Sequence, residues 1–151
     1  MPDEFVMRGQ TASGEFETLN FSGHKNGYAY KMVDFKIYPS TGVGSNSYEL
    51  AATVTAAKTF EDPENPDFTN PGLIATAFLT NNDNTHLASA NLNAVVNDFF
   101  MITQDLIIAV VDTLAGSPMP VNWQCKFVKV KMSGPQEAAV NYKQYMISDG
   151  S

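Results

Sequence analysis

The stretches YAYKMVDFKIY (Tyr28–Tyr38) and NWQCKFVKVKM (Asn122–Met132) decide the fold. In the first, Tyr28, Tyr30 and Met32 hold one phase of a two-residue alternation, and Val33, Phe35 and Ile37 hold the other. In the second, Trp123, Cys125 and Phe127 share a phase before Val128, Val130 and Met132 take over. Side chains of a strand point alternately to its two faces, so each stretch reads as a long strand. A change of phase midway means either a β-bulge that re-aims the chain or a strand that leaves one packed face and joins another. Both belong where strands bend across a sandwich or barrel.

Weaker alternation surrounds this pair. Glu15 to Phe21 sets Phe16, Thr18 and Asn20 against Glu17, Leu19 and Phe21, and a turn with the Asn26-Gly27 signal follows. Ser47 to Thr59 puts Tyr48, Leu50, Ala52, Val54 and Ala56 on one face. The opposite phase is mostly small, which predicts a further layer or a close neighbour there. Leu73 to Thr80 is a short strand ending in the turn Asn81–Asn84. Val95 to Thr103 and Leu106 to Thr113 are apolar on both faces. They predict two buried strands joined by a tight hairpin at Gln104-Asp105, with a short helix over 92–102 as the alternative. Ser133 suits an N-cap and Pro135 an early helical position. A short helix over 136–146 would place Ala138, Tyr142, Tyr145 and Met146 on one face. Residues 1–14 read as an N-terminal arm or first strand, and residues 15–151 as a single β-rich domain. The expected class is all-β: an antiparallel β-sandwich or barrel, jelly-roll-like, with one short C-terminal helix.

At 151 residues the chain can bury a real core. Its charge is unevenly placed. No Lys or Arg occurs between Lys58 and Lys126, while that interval holds Glu61, Asp62, Glu64, Asp67, Asp83, Asp98, Asp105 and Asp112. The segment cannot neutralise itself, and it argues against a nucleic-acid surface there. Charged residues are only 17% of the chain; 13 Asn, 12 Thr and 10 Ser replace them. Such a surface suits protein contacts, because burying an amide or hydroxyl costs less than burying a charge. The single Cys125 cannot form an internal disulfide and reads as a small buried hydrophobe. Residues 1–20 lack the pattern of a signal peptide, and the longest wholly apolar run, Leu106 to Val111, is too short to span a membrane.

Chemistry is sparsely signalled. The two histidines, His24 and His86, sit in turn-rich loops, and neither is near Cys125 in sequence. No phosphate-loop, dinucleotide or nucleophile-elbow motif is present. Asp98, Asp105 and Asp112 are the candidates for paired-carboxylate hydrolysis, without a specific pattern. The expectation is that the chain is no enzyme and uses no cofactor. The run Glu61–Asp67, backed by Asn70-Pro71-Gly72, is the strongest polar cluster. Its oxygens make Asp62, Glu64 and Asp67 candidate Ca²⁺ ligands. The other readings are a solvated acidic loop stiffened by prolines, or one that inserts between neighbouring subunits. Tyr28, Tyr30, Tyr38, Tyr48 and Trp123 could stack sugars, but their spread over several strands favours core or interface.

The stretches EFETLNFSGHKNGYAY (15–30), GLIAT (72–76), FFMITQD (99–105), PVNWQCKF (120–127) and NYKQYMISDG (141–150) resemble a group of small proteins of marine tailed bacteriophages. That group is associated with virion components. The resemblance implies a role in the particle, as a capsid decoration or cement protein, or else as a tail component. It transfers no functional residues. The partners it implies are copies of the chain itself and the major capsid or other virion proteins, with neither nucleic acid nor membrane. Its site would be the virion, after synthesis in the host cytoplasm. The competing class is a carbohydrate-binding sandwich for host attachment, with calcium as its candidate aid. The expected contact residues are Phe5, the acids Glu61, Asp62, Glu64 and Asp67, and the cations Lys126, Lys129 and Lys131. Opposite charge on two patches would set register between neighbours more than affinity.

Overall fold

A computed structural model describes residues 4–21, 27–41, 47–56, 59–81, 91–113 and 118–149. Among the described residues, eight strands and one helix follow in order: β1 (Glu4–Thr11), β2 (Phe16–Leu19), β3 (Tyr28–Pro39), β4 (Tyr48–Thr55), β5 (Leu73–Asn81), β6 (Asn91–Val96), β7 (Leu106–Asp112), β8 (Val121–Lys131) and α1 (Gly134–Asp149). They form two antiparallel sheets. Sheet A has the order β1-β8-β3, and sheet B the order β2-β7-β4-β5-β6. First pairs with last, second with second-last, and β4 with β5. That nested pairing is the rolled-up hairpin of a jelly roll. The roll is incomplete at one step: β6 pairs with β5 rather than β3. The expected all-β sandwich is what forms.

The phase change in β3 is a bulge. The register against β8 runs Tyr28↔Lys131 to Met32↔Phe127, then resumes at Asp34↔Lys126. Val33 is the extra residue. Met32 before it and Phe35 and Ile37 after it all bury against the core, while Val33 stays 42% exposed. One inserted residue therefore keeps both halves of a twelve-residue strand facing inward.

The second phase change has a different cause. β8 pairs with β1 in unbroken register from Glu4↔Val128 to Thr11↔Val121. Val121, Trp123, Cys125 and Phe127 form its buried inner row. Val128 and Val130 are half-buried on the opposite phase of the same sheet, and Met132 is buried just past the strand end. No second bulge occurs, because this end of the sheet has apolar residues on both faces.

The core joins that row to Tyr48, Leu50, Ala52 and Val54 of β4, Ile74, Ala77 and Leu79 of β5, and Leu106, Ile108 and Val110 of β7. Phe5, Phe21, Tyr30 and Phe127 make one aromatic cluster, with ring centroids 5.0–6.3 Å apart. At the other end of the row, Trp123 lies over Gly9, its cross-strand partner. A Cβ on Gly9 would stand 2.4 Å from the indole. The indole N–H donates to Thr11 Oγ1 at 2.9 Å, so this buried Trp is satisfied.

Two expectations are corrected. The strand over 95–103, and its tight hairpin to β7, do not form; neither does the alternative helix over 92–102. The strand there is β6, ending at Val96. Asn97 then starts a turn: its side chain accepts from Phe99 N–H (3.1 Å) and its carbonyl from Phe100 N–H (3.4 Å). This is the Asx geometry that competes with regular structure. Ile102 instead bridges Tyr30 on the outer edge of β3, through bonds of 2.9 and 2.7 Å. The helix is longer than expected. Ser133 caps it, Oγ accepting from Gln136 N–H at 3.3 Å and C=O from Glu137 N–H at 2.9 Å. Glu137 reaches back to Gly27 N–H, and Ile147 packs on the core. Ala138 and Tyr142 are exposed rather than forming its packed face. The side chains of Tyr145 and Met146 lie outside the described residues.

The bulge makes a measurable prediction. Val33→Thr is expected to change unfolding free energy by less than about 0.5 kcal/mol, whereas Phe35→Ala costs about 3–5 kcal/mol. Urea denaturation followed by Trp123 fluorescence distinguishes this from an unbulged strand, in which Val33 would be in the core.

Candidate functional site

The acidic run crosses the outer face of sheet B. Residues 56–72 join β4 to β5, and Thr53, pointing outward from β4, donates its hydroxyl to Glu61 C=O at 2.6 Å. Phe60 stacks on Phe16 of β2 with ring centroids 5.4 Å apart. Pro63, Glu64 and Pro66 wall a groove of about 370 Å³ whose other side includes Glu49, Ala51 and Phe78. Phe68 lies beside Leu73, Thr76 and Val95 around a smaller depression of about 170 Å³. The crossing explains why Thr53 is buried although its phase faces away from the core. The further layer that the small residues of β4 predicted is this segment.

Its carboxylates are used locally. Glu61 accepts from Asp67 N–H (2.6 Å) and Asn70 Nδ2 (3.1 Å). Asp62 accepts from Glu64 N–H (2.9 Å) and Asn65 Nδ2 (3.1 Å). Asp67 accepts from both the hydroxyl (2.6 Å) and the N–H (2.9 Å) of Thr69. These are Asx turns and their longer analogues, and bonds to a charged acceptor are the stronger kind. Asp62 is held below the ordinary carboxylate range by the Asn65 amide and then Glu64 N–H. Asp67 is lowered by the Thr69 hydroxyl and then its N–H. Among the described residues, no three His, Cys, Asp or Glu side chains are grouped so as to hold a metal ion. Asp62, Glu64 and Asp67, the calcium candidates, thus follow one another along the strap rather than converging.

The remaining expected residues scatter. Asp105 accepts from Phe21 N–H at 2.6 Å. Buried Asp112 takes Glu49 N–H and Met119 N–H, both at 3.2 Å. Asp98 stands exposed in the turn after β6. These three carboxylates act as separate backbone acceptors or surface charges, not as a pair. His24 and His86 lie outside the described residues. Cys125 is buried, and desolvation, then the nearby Asp34, pushes its thiol far up. Of the tyrosines, Tyr48 is buried, its phenol raised by desolvation and then by Tyr38, and Tyr38 is exposed.

The cations divide as well. Lys126 shares the outer face of sheet A with Arg8 and Lys36 and stands 3.7 Å from Glu4. Lys129 and Lys131 take the other phase, at the strand's end, with Lys129 Nζ 4.5 Å from the Tyr28 ring centroid. The three lysines therefore do not form one patch. Phe5, expected at a contact surface, is half-buried in the aromatic cluster, because the inner row of β1 closes the core at that end. Sequence reasoning missed the phenylalanines of the strap and the surface beneath it. Phe60 and Phe68 flank the acidic run, and that bracketing was the available signal.

The outer surfaces thus differ: an acidic, phenylalanine-edged strap on sheet B, and Arg8, Lys36 and Lys126 among polar side chains on sheet A. The chain matches no protein-family model, no curated protein and no solved structure.

The lowered carboxylates give a pH dependence with a definite sign. A group whose folded value lies below its unfolded value stabilises the ordered form above the unfolded value, about 3.9 for Asp. That contribution is lost as pH falls through the folded value. Amide exchange at Glu64 and Thr69 is therefore expected to be slow near neutrality and to accelerate, relative to the intrinsic rate, as the solution is acidified below about pH 4. Asp62→Asn and Asp67→Asn should remove the dependence at their own turns, read by NMR hydrogen exchange.

Proposed function

We propose that the protein is a structural component of a tailed-phage virion: a decoration or cement protein that stabilises the capsid shell through protein–protein contacts. The observation that carries this reading is the strap. Four acidic side chains sit on a segment braced by its own hydrogen bonds. Phe16, Phe60, Phe68 and Phe78 stand exposed around it. Exposed aromatic groups on a preorganised surface suit protein docking, and the surrounding carboxylates would steer a basic partner. The resemblance to small virion proteins supplies the context, and the major capsid protein is the partner it implies. The jelly-roll sandwich is compatible with this, as such folds serve capsids and lectins alike.

The test uses capsids assembled without this protein. Added protein is expected to bind saturably and raise the capsid's disruption temperature. A Glu64→Gln, Asp67→Asn variant should associate about tenfold more slowly at low salt, with a weaker salt dependence. Absence of saturable binding to capsids would rule the reading out, and binding to purified tails instead would move the protein to the tail.

One observation favours a second reading, a glycan-binding sandwich for host attachment. The open face of sheet A has a groove of about 710 Å³ lined by Arg8, Lys36, Tyr38, Asn122 and Gln124. Tyr38 is 57% exposed there, so a ring face is presented to a sugar beside the amides of Asn122 and Gln124. On this reading a glycan array gives a hit that Tyr38→Ala abolishes; a blank array, or a hit indifferent to that substitution, ends it.

A further inference from the structure

Strand β1 is an edge whose pairing with β8 is unbroken over its whole length. Among the described residues nothing pairs with its other side. The alternation of bonds shows which backbone groups face that side. Tyr30 exchanges two bonds with Ile102 on the far edge of β3, so its neighbours Ala29 and Lys31 turn toward β8. Met132 N–H donating to Gly27 C=O at 2.7 Å agrees. The even-numbered residues of β8 therefore bond β3, and its odd-numbered residues bond β1. On β1 those bonds go to Phe5, Met7, Gly9 and Thr11, opposite Phe127, Cys125, Trp123 and Val121. Glu4, Val6, Arg8 and Gln10 turn their N–H and C=O to the open side.

Such an edge invites pairing, and proteins usually blunt it with lysine, proline or a bulge. The sequence of β1, EFVMRGQT, has neither lysine nor proline, and its register has no bulge. Val6 stands 47% exposed in its middle.

We propose that β1 pairs antiparallel with β1 of a second copy about a two-fold axis at Val6, joining two sheets A into one of six strands. In this register Glu4 lies opposite Arg8 of the second copy, twice by symmetry. Val6 meets its equivalent at the axis, and Phe5 lies opposite Met7 on the inner side. Each of the three outward pairs (Glu4 with Arg8, Val6 with Val6, Arg8 with Glu4) exchanges two backbone bonds. The charges select the register. An axis at Glu4 or at Arg8 would set like charges face to face, and an axis at Phe5 or Met7 would leave both charges without an opposite. Gln124 holds Arg8 Nε at 2.7 Å, which keeps the guanidinium on the outer face where Glu4 of the second copy arrives. The contact is isologous and closes as a dimer. It covers Val6 and half-buried Phe5 and Met7.

The contact rests on the virion reading as its self-association, but it is measured on purified protein without capsids. A dimer that binds no capsid would overturn the proposed function and leave this contact standing. Sedimentation velocity over a range of concentrations is expected to show a monomer–dimer equilibrium. Glu4→Arg and Arg8→Glu should each weaken it about tenfold, because both symmetric cross-strand pairs turn repulsive. The double exchange should restore it. Val6→Pro removes an N–H that faces only the open side, so the β1–β8 ladder tolerates it while the dimer is lost. If that variant fails to fold, the exchange of surface charges still decides. A protein that stays monomeric at millimolar concentration, a dimer indifferent to the single exchanges, or a double exchange that restores nothing would each overturn the proposal.

Discussion

Every strand pairing in the three-stranded sheet is made through β8. It bonds β1 on one side and β3 on the other, while its inner row, Val121 to Phe127, closes the core. That double duty forces the bulge. β1 follows β8 residue for residue, so β8 cannot shift phase without breaking that pairing. β3 has apolar residues in two phases, and it must absorb the mismatch itself. Val33 is the residue that does so.

The same constraint shows what was readable from sequence. The phase change in Tyr28–Tyr38 was visible because strict alternation would send Met32 and Phe35 to opposite faces, and only an inserted residue brings both inward. The change in Asn122–Met132 looked identical on paper. Periodicity reports where apolar residues lie but not whether a sheet is covered on both sides, and Val128 and Val130 belong to the second case. The strand expected over 95–103 failed for a related reason. A run apolar on both phases carries no period, so the Asn97 turn, which depends on one side-chain bond, outweighed it. The regular face of Tyr48, Leu50, Ala52 and Val54 had no such competitor and was legible at once.

The candidate surface was only half legible. The acidic run was plain, and its prolines announced a stiff loop. Its placement across sheet B depends on contacts between residues far apart in sequence, such as Phe16 with Phe60, which no local pattern encodes. The lysines after the acidic segment misled in the opposite way. Adjacent alternation in KFVKVK reads as one basic stripe, yet strand geometry sends Lys126 to one phase and Lys129 and Lys131 to the other.

The long interval without a cation has a structural resolution. A carboxylate can be balanced by a positive side chain or by backbone N–H groups, which stabilise its charged form without bringing a counter-charge. This chain relies on the second route. Glu61, Asp62, Asp67, Asp105 and Asp112 each accept a backbone N–H. Asp62 and Asp67, whose carboxyls their hydrogen bonds hold low, keep their charge at neutral pH and still organise the chain around them. A salt bridge would have cancelled the field that an acid on the surface presents. Bonding the strap with its own N–H groups leaves that field directed outward from sheet B, beside exposed phenylalanines, with nothing from the segment itself to neutralise it. On the proposed reading, a docking partner would bring the missing cations to a surface whose shape is already set.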